Sequence, residues 1–153
     1  MDAQLLRRSV DLTAYPDLVV IYLGFRLRGP RGVWSALRIG RGGRPMLASR
    51  PEGLLAHETI FFGLAHFGFR QYWRDLECLE RFTRSEPHRG WWTGFLKDQG
   101  GAGFWHETYT ARGGMEAIYV NMPASVGFAA FAPPRQPQGP YMSARGRIAA
   151  AGS

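Results

Sequence analysis

Apolar and polar positions change their period several times along the chain, and each change predicts an element. Residues 17–25, Asp-Leu-Val-Val-Ile-Tyr-Leu-Gly-Phe, are β-branched and aromatic almost throughout, the composition of a buried strand. Gly29-Pro30-Arg31-Gly32 predicts a turn. Val33, Trp34 and Leu37 then form a helical stripe, which the run Gly40-Arg41-Gly42-Gly43-Arg44-Pro45 should break. In a helix interior glycine costs ~1 kcal/mol and proline ~3 kcal/mol, so Met46–Arg50 is expected to be a second short piece. Residues 54–62 and 66–73 read as two strands joined by a hairpin at 63–65. Residues 75–85 follow with Asp75 as N-cap and Leu76, Leu79 and Phe82 at helical spacing. A further helix starts at Ser85-Glu86-Pro87-His88, with His88, Trp91, Trp92 and Phe95 on one face. Gly100-Gly101-Ala102-Gly103 ends it, and 104–110 and 116–122 predict two more strands.

The order is strand, helix, strand, strand, helix, helix, strand, strand. This predicts an α+β protein, a ferredoxin-like β-α-β-β-α-β unit with one extra helix and one extra strand. Residues 17–123 would form that domain, after an N-terminal arm (1–16) ending in Tyr15-Pro16. Residues 124–153, with prolines at 133, 134, 137 and 140, are expected to be a C-terminal arm or disordered tail, dispensable for folding beyond about Pro133. The strands are apolar on both sides: Val19, Ile21 and Leu23 alternate with Val20 and Tyr22, and Phe67, Phe69 and Trp73 are set against Tyr72. One face meets the helices. A second copy of the sheet is the simplest cover for the other, so a homodimer is expected.

Composition narrows the function classes. A length of 153 residues with 45% hydrophobic content suits one folded domain. No apolar run approaches the ~18–20 residues of a membrane span, and a cytoplasmic protein without membrane partners is expected. The lone Cys78 agrees with a reducing compartment. A net charge of +7 raises nucleic-acid binding. Only Lys97 among the basic residues is a lysine and the arginines are scattered, so no nucleic-acid partner is expected. The glycine run lacks the phosphate-loop pattern, and no Cys or His spacing suits zinc.

His-Glu-Thr occurs twice, at 57–59 and 106–108. In a ferredoxin-like sheet these two strands are opposite edges, so the repeat does not predict one site. His57 is read as structural, and His66, beside a turn, as surface. His88, in a first helical turn among aromatic residues, is the first candidate. The helix start and the apolar site both favour neutral imidazole, which accepts a proton or binds iron. On the strand 104–110, Phe104, His106 and Thr108 share one face while Trp105, Glu107 and Tyr109 share the other. Either set gives a pocket one titratable group, so His106 and Glu107 are both candidate catalytic residues. Tyr22, Tyr72, Trp73, Trp91, Trp92, Phe95, Trp105, Tyr109 and Tyr119 are candidate aromatic walls. Asn121 is a candidate donor to a substrate oxygen.

Tyr72-Trp73-Arg74-Asp75-Leu76-Glu77-Cys78-Leu79, then His88 and Trp91, resemble the centre of the antibiotic-biosynthesis monooxygenase class of the dimeric α+β barrel superfamily. Trp105-His106-Glu107-Thr108-Tyr109 and Glu116-Ala117-Ile118-Tyr119-Val120-Asn121-Met122-Pro123 resemble its fumagillin-pathway-type monooxygenases. The chain departs from that pattern in its interrupted first helix and long tail. The resemblance implies a homodimer with a pocket between sheet and helices in each subunit. It implies a monooxygenase-like oxidoreductase of secondary metabolism, acting on a hydrophobic conjugated or aromatic metabolite without a cofactor. Some members of the superfamily bind haem, and the matching region makes His88 the axial ligand in that alternative. Others have no known activity, which leaves a non-catalytic small-molecule-binding dimer as the third reading.

Overall fold

A computed structural model of the chain describes residues 6–86, 88–97, 101–111, 118–120, 127–136, 138–142 and 150. The side chains of Trp105, His106 and Tyr119, and Asn121 as a whole, lie outside the described part. The chain divides into two compact units, Leu18–Tyr109 and a second made of residues 1–17 and 110–153.

The first unit contains β2 (Val19–Leu27), α1 (Gly29–Ala48), β3 (Leu54–Gly63), β4 (His66–Trp73), α2 (Leu76–Arg84), α3 (His88–Lys97) and β5 (Ala102–Thr110, whose last residue falls to the second unit). Its sheet has the order β3-β4-β2-β5, with β4 antiparallel to both neighbours. This is the ferredoxin-like order, with α3 as the extra helix, and β3 and β5 are the edges, as expected.

Alternation along β2 and β4 sends Val19, Ile21 and Trp73 to one face, where Cys78, Leu79 and Phe82 of α2 meet them, while Phe25 on the same face packs against Trp91 and Phe95 of α3. Trp73 and Phe25 are fully buried, and each such side chain contributes roughly 1.5–3 kcal/mol. Asp75 caps α2 by accepting a hydrogen bond from the Cys78 N–H (2.7 Å). That bond, with Arg74 beside it, holds the Asp75 carboxyl down to about 2.

Two expectations are corrected here. Gly29–Gly32 is not a turn, and α1 is not split; one 20-residue helix runs from Gly29 to Ala48 with Pro45 inside it. Pro30 sits in the first turn, where a missing N–H costs nothing. Pro45 lies in the last turn, where it removes one rung, the bond its nitrogen would donate to the Arg41 carbonyl, and only Met46–Ala48 follow it. Gly42 is where the glycine run meets a neighbouring element. A Cβ on Gly42 would collide with the Trp91 indole of α3. Packing on β2 and α3 therefore offsets a local propensity that favours a break. The stripe read from sequence does not face inward as a whole: Val33 and Trp34 are exposed.

The second unit contains β1 (Arg7–Val10), β6 (Ile118–Val120) and β7 (Pro134–Arg135), in the order β6-β1-β7. Arg7 pairs with Val120, Arg8 with Tyr119 and Ser9 with Ile118. Ser9 also pairs with Arg135, and Val10 with Pro134. The strand expected at 116–122 thus pairs with the N-terminal segment. The C-terminal segment supplies β7 to this sheet. Besides β7 it has 3-10 turns at Gly127–Ala130 and Gly139–Met142, and Arg135 forms an ion pair with Asp11.

Candidate functional site

Within the first unit a cavity of about 970 Å³ lies between the sheet and all three helices. Its floor comes from Ile21 and Leu23 of β2, Phe67, Phe69 and Gln71 of β4, His57 and Thr59 of β3, and Phe104 of β5. Helix α1 supplies Leu37, Gly40, Arg41, Gly43, Arg44 and Leu47. Helix α2 supplies Leu79, Glu80, Phe82 and Thr83, and α3 supplies His88, Trp91 and Trp92. Gly40 and Gly43 leave open the space that side chains would fill, so the continuous α1 completes the roof. An apolar, aromatic cavity with a few polar groups suits a hydrophobic small molecule.

His88 lies on this wall, as its helical stripe predicts. Its ring packs against Phe82 (5.0 Å between centroids) and Trp91 (5.9 Å). Its Nδ1 is 3.1 Å from the Thr83 carbonyl oxygen. A carbonyl only accepts, so Nδ1 carries the proton and donates. Burial lowers the His88 pKa, partly opposed by that hydrogen bond. The neutral ring therefore keeps its lone pair on Nε2, ready to take a proton or bind a metal.

His57 also lines the cavity, and a β-bulge turns it that way. The β3–β4 register shifts between Leu54 and Ala56. Leu54 pairs with Trp73 on the helix-facing side, where strict alternation would turn His57 away. The extra residue, Leu55, resets the alternation, so that His57 pairs with Gln71 and Thr59 with Phe69. His57 Nδ1 lies 3.2 Å from Gln71 Nε2, and the Trp73 indole donates to Gln71 Oε1 (3.2 Å). Burial lowers the His57 pKa against the opposing pull of Glu58. Gln71 carries the signal in the sequence: it shares one face of β4 with Phe67, Phe69 and Trp73, and a polar residue on that face needs partners.

Of the other candidate residues, Trp91 and Trp92 line the cavity. Phe95 stands behind the wall, against Phe25 (5.6 Å) and Phe104 (5.8 Å). Trp73 is a core residue packed on Phe82 (5.1 Å). Tyr22, Tyr72, Glu107 and Tyr109 are not lining residues, because the cavity takes the opposite set of each strand, Phe104 in the case of β5. They belong to a polar and aromatic row across the far side of the sheet. There Arg70 pairs with Glu58 (2.6 Å) and donates to the Tyr22 hydroxyl (3.1 Å). The Arg70 guanidinium also lies over the Tyr72 ring (5.5 Å). Tyr109 meets Tyr22 edge-on (5.8 Å) and donates to Glu107 (2.6 Å). The His106, Trp105 and Tyr119 side chains and Asn121 are outside the described residues. Among described residues no cluster of three or more metal-ligating side chains occurs, and no helix is long and apolar enough to cross a membrane.

Known structures share this fold. A Bacteroides thetaiotaomicron protein of unknown function, described as a possible oxidoreductase, is 14% identical, with a TM-score of 0.50 over 62% of this chain and 98% of that one. A Shewanella oneidensis protein is 10% identical, with a TM-score of 0.52 over 67% of this chain and 93% of its own. A Pseudomonas aeruginosa protein is 12% identical, with a TM-score of 0.51 over 63% and 95%. No curated protein matches the chain. Residues 18–128 match the family described as monooxygenase af470-like, and the chain belongs to that family. The monooxygenase resemblance read from the sequence is thereby borne out.

Proposed function

We propose that this member of the monooxygenase af470-like family is a small oxygenase that binds a hydrophobic conjugated or aromatic metabolite in the cavity beneath α1 and uses His88 as general base. One observation carries the proposal: the Thr83 carbonyl fixes the His88 proton on Nδ1 and leaves Nε2 as a base on an aromatic wall. Nε2 takes a proton from an acidic methylene flanked by the conjugated system. The carbanion gives one electron to dioxygen, and the resulting radical and superoxide combine to a peroxide. Proton return from the His88 imidazolium gives a hydroperoxide, which loses water. The methylene and dioxygen thus become a ketone and water, in equal amounts, so neither reductant nor cofactor is required. On this reading the enzyme works in secondary metabolism as a cytoplasmic homodimer.

The same Nε2 favours haem as a second reading. His88 would hold it through Nε2, and the exposed Arg41 and Arg44 lining the cavity would supply positive charge for its carboxylates. Haem would supply the oxygen or redox chemistry, and the chain would bind and shield it.

Oxygen uptake with a panel of enolisable aromatic ketones and conjugated polyenes, together with an absorbance spectrum, tests both. Uptake without a Soret band supports the cofactor-free enzyme. A Soret band lost in His88→Ala supports haem. Ligand binding with neither uptake nor haem leaves the non-catalytic binding protein.

A further inference from the structure

His57 and His88 line one cavity, and their hydrogen-bond partners differ in kind. The Trp73 indole N–H can only donate, so the Gln71 atom 3.2 Å from it is the amide oxygen. The Gln71 nitrogen then faces His57 Nδ1 at 3.2 Å. That nitrogen also only donates, so Nδ1 must hold a lone pair. An imidazole with a lone pair on Nδ1 is neutral and carries its proton on Nε2. The Phe69 ring (4.9 Å) limits rotation of the imidazole. His88 has the opposite arrangement, with its proton on Nδ1 against Thr83.

We infer that His57 is a hydrogen-bond donor to the bound substrate, its Nε2–H directed at an oxygen of the same molecule from which His88 takes a proton. Gln71, oriented by Trp73, is the positioning residue that fixes this tautomer. The substrate class narrows accordingly, to a conjugated or aromatic molecule with an acceptor oxygen, such as a carbonyl, near its acidic hydrogen. As the proton leaves, charge grows on that oxygen, and a donor already in place stabilises it without reorganisation. This rests on the cavity being the substrate site, as proposed above.

Nitrogen-15 NMR of the imidazoles reads the tautomers directly. The expected result is Nε2–H at His57 and Nδ1–H at His88. In Gln71→Glu, a carboxylate accepts from both Trp73 and His57, so the proton should appear on Nδ1 and the His57 pKa should rise. Arg41, Arg44, Glu80 and His88, the other ionisable groups lining the cavity, are unchanged in that comparison. The ligand contact is read with naphthalene and 1-methoxynaphthalene, because the ether oxygen accepts from His57 and has no proton for His88. The wild type should prefer the ether by roughly 3–10-fold, one neutral hydrogen bond. His57→Phe should abolish the preference, and His57→Gln, which retains an amide donor, should restore part of it. A wild-type His57 with its proton on Nδ1, or naphthalene bound with no preference for the ether, overturns this inference and leaves the base assignment of His88 standing. No binding of either naphthalene overturns the reading of the cavity itself.

Discussion

His57 and His88 are both kept neutral by burial, and that has a consequence for stability. Their folded-state pKa values lie below the ordinary 6.5. Unfolding frees each ring to take a proton at its ordinary value, so below pH 6.5 the unfolded chain binds more protons than the folded one. Stability is then fully present above that pH and declines as pH falls through it. Thermal melts from about pH 8 to about pH 5 should show this decline. His57→Phe and His88→Phe should each flatten it, and a melting temperature that rises with acid would contradict it. Asp75 does not confuse the test, because its low pKa makes its loss fall between 3.8 and about 2.

At the scale of elements, α1 is where local preference and tertiary packing disagree. Gly42 faces Trp91 with no room for a Cβ, whereas Gly43 has open space around its Cβ position. Both alanine substitutions gain helix propensity of up to ~1 kcal/mol. Gly43→Ala should therefore raise the melting temperature. Gly42→Ala should lower it, since displacing a packed indole costs about 1–3 kcal/mol. Equal shifts in both would mean that Trp91 does not rest on the helix. This contact explains why the sequence read as a break: glycine's penalty is visible locally, but the indole that requires it is 49 positions away. His88 was legible because its 3.6-residue stripe with Trp91 survives intact. Which of His57 and Glu58 faces the helices was not legible, because a bulge at Leu55 resets the period of two along β3. The two faces of β5 could be separated from sequence, but choosing between them needed Phe104 against the helices. The pairing of β7 with β1 was also hidden, since two residues carry no period. Ending the chain at Pro133 removes that pairing and the Arg135–Asp11 ion pair, so the truncated protein should melt lower. An unchanged melt would return the segment to the status of a dispensable tail.

At the scale of the whole molecule, surface exposed on the single chain bears on its association. A single chain already buries Val20 and Tyr72 on the far side of the sheet, while Tyr109 stays half exposed. Trp34, Phe61 and Leu64 are also exposed, a quantity of apolar surface that favours self-association. Light scattering at micromolar concentration should give a dimer, and a monomer there would contradict the proposed assembly. The central claim concerns the base. The measurement that tests it most directly is the rate of oxygen consumption by His88→Ala beside wild type, on the best substrate of the panel. Loss of a general base costs about 10²–10⁴-fold, and that loss is expected with an unchanged circular dichroism spectrum. Full activity in His88→Ala, with activity lost instead in His106→Ala, would contradict the account and move the base to β5.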